Sequence, residues 1–155
     1  MPSRCPTKRS TTVTLSKTPG SMKKKLRNVM IVDDDSLVHF LSKKVLSGYA
    51  CINNIYSAYD GKEALDMLRR TCSDLVSVPS ILLLDLHMPI MDGFQFFEEA
   101  MRGHCLKDNR IVTIMFSSTC DPCEVDKAHA LGINYFFSKP ILLEKIDSVF
   151  AKEFC

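Results

Sequence analysis

Four short polar clusters each follow an apolar run. Asp33-Asp34-Asp35 follows Val29-Met30-Ile31-Val32, and Asp85 follows Ile81-Leu82-Leu83-Leu84. Ser117-Ser118-Thr119 follows the run ending at Phe116, and Lys139-Pro140 comes just after Tyr135-Phe136-Phe137. Carboxylates crowded to ~4–6 Å repel one another, and a hard divalent cation relieves that repulsion. Mg²⁺ (or Mn²⁺) takes oxygen ligands in octahedral geometry, commonly one or two carboxylates with waters and a phosphate. Asp33, Asp34 and Asp85 offer the right atoms for it. A cation with a hydroxyl and an ammonium group beside it suits a phosphoryl group, whose oxygens would be shared with Ser117 and Lys139. Asp85 could attack phosphorus and become an acyl phosphate. Such chemistry needs mostly positioning and charge neutralisation, so a small site suffices.

These clusters can act together only if the fold brings them to one place. Asn28–Val32 reads as a buried strand, and Leu37, Phe40, Leu41, Lys44 and Val45 follow at helical spacing, with Gly48 closing that helix. Ile52–Ser57 is a second strand. Asp60 and Glu63 have the spacing of a capping box, and Ala64, Leu65 and Leu68 form the apolar stripe behind it. Ile81–Leu84 is a third strand, with Phe94, Phe97 and Met101 marking the helix after Pro89 and Gly93. Ile111–Phe116 is a fourth strand. Asp121, Pro122 and Glu124 fall at the N-cap, first and third positions of a fourth helix that Gly132 ends. Tyr135–Phe137 and Leu142–Phe150 complete the pattern. Five strands each followed by a helix predict an α/β fold, a parallel sheet with helices on both faces. Right-handed crossovers put all strand C-terminal ends on one edge, where ligands bind in such folds. All four polar clusters lie there. Singly, each has a bland use: Asp35 with Ser36 opens the first helix, and a lysine before a proline is ordinary. Their joint occurrence carries the weight.

Composition sets limits. The chain has 155 residues, 46% hydrophobic and 25% charged, enough for one domain with a real core. No apolar stretch approaches the ~20 residues of a membrane-spanning helix. The net charge of +2 is asymmetric. Residues 1–28 hold eight basic residues and no acid, leaving 12 basic against 18 acidic residues, a net of −6, in the remainder. The globular part is acidic, which argues against nucleic acid as a partner. Residues 1–27, basic and rich in Ser and Thr, are expected to be a disordered tail, either a transit segment or a vector remnant ending at Gly20-Ser21 with Met22 as the natural start. The domain proper is expected over 28–155. Seven cysteines (Cys5, Cys51, Cys72, Cys105, Cys120, Cys123, Cys155) without a secretory signal are expected to be reduced thiols in the cytoplasm. Cys120 and Cys123 form a lone CxxC with no further ligands at zinc spacing.

Residues 28–152 resemble a response-regulator receiver domain of two-component signalling, of the stand-alone kind. The resemblance rests on Val29-Met30-Ile31-Val32-Asp33-Asp34, on Leu82 to Gly93 with its D-x-x-M-P-x-x-D-G pattern, on Met115-Phe116-Ser117-Ser118 and on Phe137-Ser138-Lys139-Pro140. It implies a flavodoxin-like, doubly wound five-stranded sheet in order 2-1-3-4-5. It implies that Asp85 accepts a phosphoryl group from a phosphohistidine on a sensor kinase or histidine phosphotransfer protein. Asp33, Asp34, Asp85 and the backbone carbonyl of His87 would hold Mg²⁺. Ser117 and Phe136 take the positions of the switch residues, and the Lys139–Pro140 bond is expected to be cis. His87 and Thr119 occupy positions that tune the acyl-phosphate lifetime, where a His side chain would either order the attacking water or obstruct it. Phosphorylation would draw in Ser117, let Phe136 rotate and reshape the face of the fourth helix, fifth strand and last helix for an effector protein. Such a protein is a phosphoacceptor and no enzyme beyond its own phosphorylation and dephosphorylation.

Three rivals remain. A phosphate-independent interaction module would be expected to lack a core residue. A haloacid-dehalogenase-like aspartyl-phosphate phosphatase would carry an Asp where His87 stands. A flavin-binding module would have a hydroxyl-rich loop in place of the three aspartates.

Overall fold

A computed structural model describes residues 25–108 and 110–154. The chain runs β1 (Arg27–Val32), α1 (Ser36–Leu46), β2 (Ile52–Ala58), α2 (Gly61–Thr71), β3 (Ile81–Asp85), α3 (Gly93–Arg102), α4 (Cys105–Asp108), β4 (Val112–Ser117), α5 (Pro122–Leu131), β5 (Tyr135–Ser138) and α6 (Leu143–Phe154). All strand pairs are parallel, in the order β2-β1-β3-β4-β5. This is the flavodoxin-like sandwich. The short α4 is an addition to the expected five helices, and β1 starts at Arg27, one residue inside the segment assigned to the tail. Residues 1–24 lie outside the described residues, so the tail expectation is not addressed.

Side chains alternate across the central strands, as a two-sided buried sheet requires. Met30, Val32, Leu82, Leu84 and Met115 pack under α2, α3 and α5. Val29, Ile31, Leu83, Ile114 and Phe116 pack against α1 and α6. β1 and β3 are buried along almost their whole length.

The structure rotates α1 away from its expected phase. Leu37, Phe40 and Leu41 are exposed at 59%, 63% and 46%, whereas His39, Ser42 and Leu46 are buried. The rotation is set at the helix start. Asp35 caps α1 by accepting from the Leu37 N–H at 2.8 Å, and the His39 Nε2–H reaches back to the Asp33 carbonyl at 2.7 Å. A capped start and a buried polar bond outweigh the apolar stripe. At α2, Asp60 accepts from the Glu63 N–H, but the Glu63 carboxylate takes the Tyr59 N–H rather than closing the box on Asp60. A full capping box stands at α3 instead, between Asp92 and Gln95. Gly132 ends α5 with φ +86°, a conformation glycine adopts without cost.

Cys72 and Cys105 form a disulfide, with Cα atoms 5.8 Å apart, correcting the expectation of reduced thiols for these two. The end of α2 and the start of α4 meet within disulfide range, a proximity that cysteine spacing cannot reveal. Cys51, Cys120 and Cys123 are free thiols. No described helix is long and apolar enough to cross a membrane.

Candidate functional site

Three carboxylates meet at the C-terminal edge of the sheet. One oxygen from each of Asp33, Asp34 and Asp85 lies within 4.8 Å of the others. The register explains this: β1 and β3 are neighbours with Val32 opposite Leu84, so the next residues, Asp33 and Asp85, stand side by side. Both are buried, while Asp34 faces solvent. Asp33 Oδ1 accepts from the Asp35 N–H at 2.9 Å, which aims its other oxygen inward.

Lys139 closes the cluster. Its Nζ donates to Asp33 Oδ2 at 2.7 Å and lies 3.1 Å from Asp85 Oδ1. Its backbone N–H bonds the Ser117 carbonyl at 2.8 Å, and its bond to Pro140 is cis. Burial pushes the Asp85 carboxyl above the usual carboxylate range, the Asp33 charge adds to this, and Lys139 partly opposes it. Burial alone would lower the Lys139 ammonium, but the bonds and charges of Asp33 and Asp85 outweigh it and raise it. The donor set is all oxygen and strongly anionic, which fits a hard divalent cation.

The β3–α3 loop wraps tightly around Asp85. The His87 N–H faces Asp85 Oδ1 at 3.3 Å. Met91 N–H bonds the Pro89 carbonyl at 2.8 Å, a γ-turn with Ile90 at φ 72°. Gly93 then donates to the Leu86 carbonyl. A Cβ on Gly93 would sit 2.5 Å from the Asp85 carbonyl oxygen and 2.9 Å from the Leu86 Cα, so only glycine fits.

A second polar group forms around Ser117, which is fully buried. Its Oγ accepts from the Thr119 N–H at 3.1 Å and donates to Glu124 Oε2 at 3.2 Å. The Thr119 hydroxyl donates to the same oxygen at 3.0 Å. His87 Nε2 lies 3.3 Å from Glu124 Oε1 and 3.5 Å from Thr119 Oγ1. The expected residues thus fall into two sets. Asp33, Asp34, Asp85 and Lys139 share one pocket, while Ser117, Thr119 and the His87 ring gather on Glu124. Phe136 is half-buried against the core under α2, α3 and α5 and pairs with Met115 on β4.

Sequence reasoning assigned Glu124 only to the first turn of a helix. A helical Cβ tilts toward the N-terminus, and that direction sends Glu124 back over the end of β4. His39 was also missed, because a histidine within an exposed-looking stripe signals nothing by itself.

A parallel sheet in this order with paired acids, a third acid and a lysine on its C-terminal edge defines a receiver-type module. The family model described as "Response regulator receiver domain" matches residues 29–151, and the chain belongs to that family. A protein-glutamate methylesterase/protein-glutamine glutaminase of Treponema pallidum is 35% identical over 72% of this chain, which spans 26% of that protein. A two-component response regulator from Cytophaga hutchinsonii superposes with a TM-score of 0.75 at 26% identity, covering 83% of this chain and 96% of that one. A structure described as a CheX-CheY-BeF3-Mg²⁺ complex from Borrelia burgdorferi gives a TM-score of 0.68 at 26% identity, covering 81% and 88%.

Proposed function

We propose that this receiver domain accepts a phosphoryl group on Asp85 from a phosphohistidine of a sensor kinase or phosphotransfer protein, and that a partner protein reads the result. The single observation carrying this is the convergence of Asp33, Asp34 and Asp85 oxygens with the Lys139 ammonium on one edge. An Asp85 oxygen forms the bond to phosphorus as the phosphorus–nitrogen bond of the donor breaks and its imidazole leaves. Asp33, Asp34, Asp85 and the His87 carbonyl would hold Mg²⁺ or Mn²⁺, which when bound neutralises charge on the phosphoryl oxygens. Phosphorylation turns the Asp85 carboxylate into an acyl phosphate, and Lys139 exchanges that partner for a phosphoryl oxygen while keeping its bond to Asp33. Ser117 donates to another, and Phe136 follows it, reshaping the α5-β5-α6 face. The relative crystallised with Mg²⁺ and beryllium fluoride supports this reading.

Acyl phosphate chemistry confined to its own side chain makes this domain a switch. The donor docks on the rim of the pocket. A cavity of about 320 Å³ lined by Val38, Leu41, Ser42, Lys139 and Pro140 opens there. Beside it are exposed Leu37, Phe40, Leu142 and Leu143, an apolar surface of the kind that marks a binding site. Incubation with acetyl phosphate and Mg²⁺, followed by intact-mass spectrometry, should add one phosphoryl group to the wild type and none to Asp85→Asn. Equal labelling of both would overturn the assignment.

A further inference from the structure

We infer that Glu124 is a latch that holds the Ser117 hydroxyl in the resting arrangement and must release it before a phosphoryl group can engage that hydroxyl. This rests on the phosphoacceptor reading above. The hydrogen-bonding capacity of one buried oxygen sets the constraint. Ser117 Oγ has a single proton to donate, and Glu124 Oε2 receives it at 3.2 Å. The same Oγ accepts the Thr119 N–H at 3.1 Å. Its Thr119 Oγ1 contact, at 3.2 Å, is to a hydroxyl that itself donates to Glu124. The one Ser117 proton is therefore committed to a carboxylate rather than to the acidic pocket.

Glu124 is held as firmly as it holds. Oε2 accepts from two hydroxyls, and Oε1 faces His87 Nε2 at 3.3 Å. The carboxylate is 21% exposed, so its bonds are only partly contested by water. α5 starts on the Asp121 cap with Pro122 at its first turn, which fixes the backbone carrying Glu124, so the latch opens by rotation of the Glu124 side chain toward solvent. Freeing Ser117 thus breaks a network that ties the end of β4 to the first turn of α5. The latch also brings together the two positions flanking the switch, His87 and Thr119, through one side chain.

The test is titration of the full chain with beryllium fluoride in saturating Mg²⁺, followed by calorimetry and NMR. Glu124→Ala is expected to bind about tenfold more tightly than wild type, the scale of one hydrogen bond to a charged group. Glu124→Gln, which keeps the shape and loses the charge, should fall between them. In a Ser117→Ala background the gain should vanish, because nothing is left to release. Before any titrant is added, Glu124→Ala should already shift the Thr119 amide resonance. A gain that persists in Ser117→Ala would show mere removal of negative charge and overturn the latch. Unchanged affinity in Glu124→Ala would show that nothing has to be released and overturn it too. If neither wild type nor any variant binds beryllium fluoride, the phosphoacceptor reading itself fails and the latch with it. Thermal melts of each variant separate misfolding from these outcomes.

Discussion

Lys139 Nζ stands 2.7 Å from Asp33 Oδ2, a residue 106 positions earlier in the chain. It also reaches Asp85, so one ammonium offsets two buried carboxylates. Removing it leaves those charges facing each other. Lys139→Met should cost about 2 kcal/mol in metal-free buffer, below the full penalty of a buried pair because the lysine is partly exposed. Added Mg²⁺ should restore much of that loss. Thermal melts with chelator and with millimolar Mg²⁺ would read both effects, and identical losses in the two buffers would contradict the shared-pocket account.

Mg²⁺ should stabilise the wild type by itself. A ligand bound only by the folded state at a hundred times its Kd contributes about 2.7 kcal/mol. Asp34 is the exposed member of the acidic set, so Asp34→Asn should fold normally and lose most of the Mg²⁺-induced rise in Tm. A full rise in that variant would remove Asp34 from the metal site.

Asp85 gives a pH signature. Its carboxyl is raised in the folded state by burial first and by Asp33 second. Folding therefore favours its protonated form. The stability it contributes is complete below the ordinary carboxylate range and is lost as pH rises through the raised value. At neutral pH without metal, Asp85→Asn should be more stable than wild type, because it removes a charge whose burial opposes folding. The advantage should disappear in acid. Melting curves across pH in chelator test this, and a variant that is less stable at pH 7 would refute the sign.

Gly93 is a steric requirement of the site. Alanine there meets the Asp85 carbonyl oxygen and the Leu86 Cα, neither of which can rotate away. Gly93→Ala should destabilise by about 2–3 kcal/mol, as overpacking against backbone does. It should also weaken Mg²⁺ binding by shifting Asp85. Urea unfolding and a metal titration would measure the two together.

Ile90 carries strain with no packing to compensate. It is fully exposed, β-branched and at φ 72°. Ile90→Asn, which tolerates that region, should stabilise by about 1 kcal/mol. A lower Tm for this variant would show that Ile90 contacts something the fold needs.

The exposed face of α1, proposed to receive the donor, lies outside the acidic pocket, so the two can be tested separately. Phe40→Ser should change stability by less than about 0.5 kcal/mol, as surface substitutions do. It should leave acetyl phosphate labelling intact and slow transfer from a phosphohistidine donor. Equal transfer rates would remove α1 from the docking surface.

Much of the architecture was legible because it depends on local pattern. Short β-branched runs bounded by caps and glycines marked the strands, and their alternation with helices dictated a parallel sheet. That sheet alone brings Asp33, Asp34, Asp85 and Lys139 to one edge, so the anionic pocket could be expected from the chain order of four clusters. The rotation of α1 could not. Its stripe of Leu37, Phe40 and Leu41 promised a buried face, and a cap at Asp35 with a bond from His39 turned it to solvent. The Cys72–Cys105 pairing and the grasp of Glu124 on Ser117 were likewise invisible. Each depends on where two separate elements come to rest, and short-range periodicity carries no information about that.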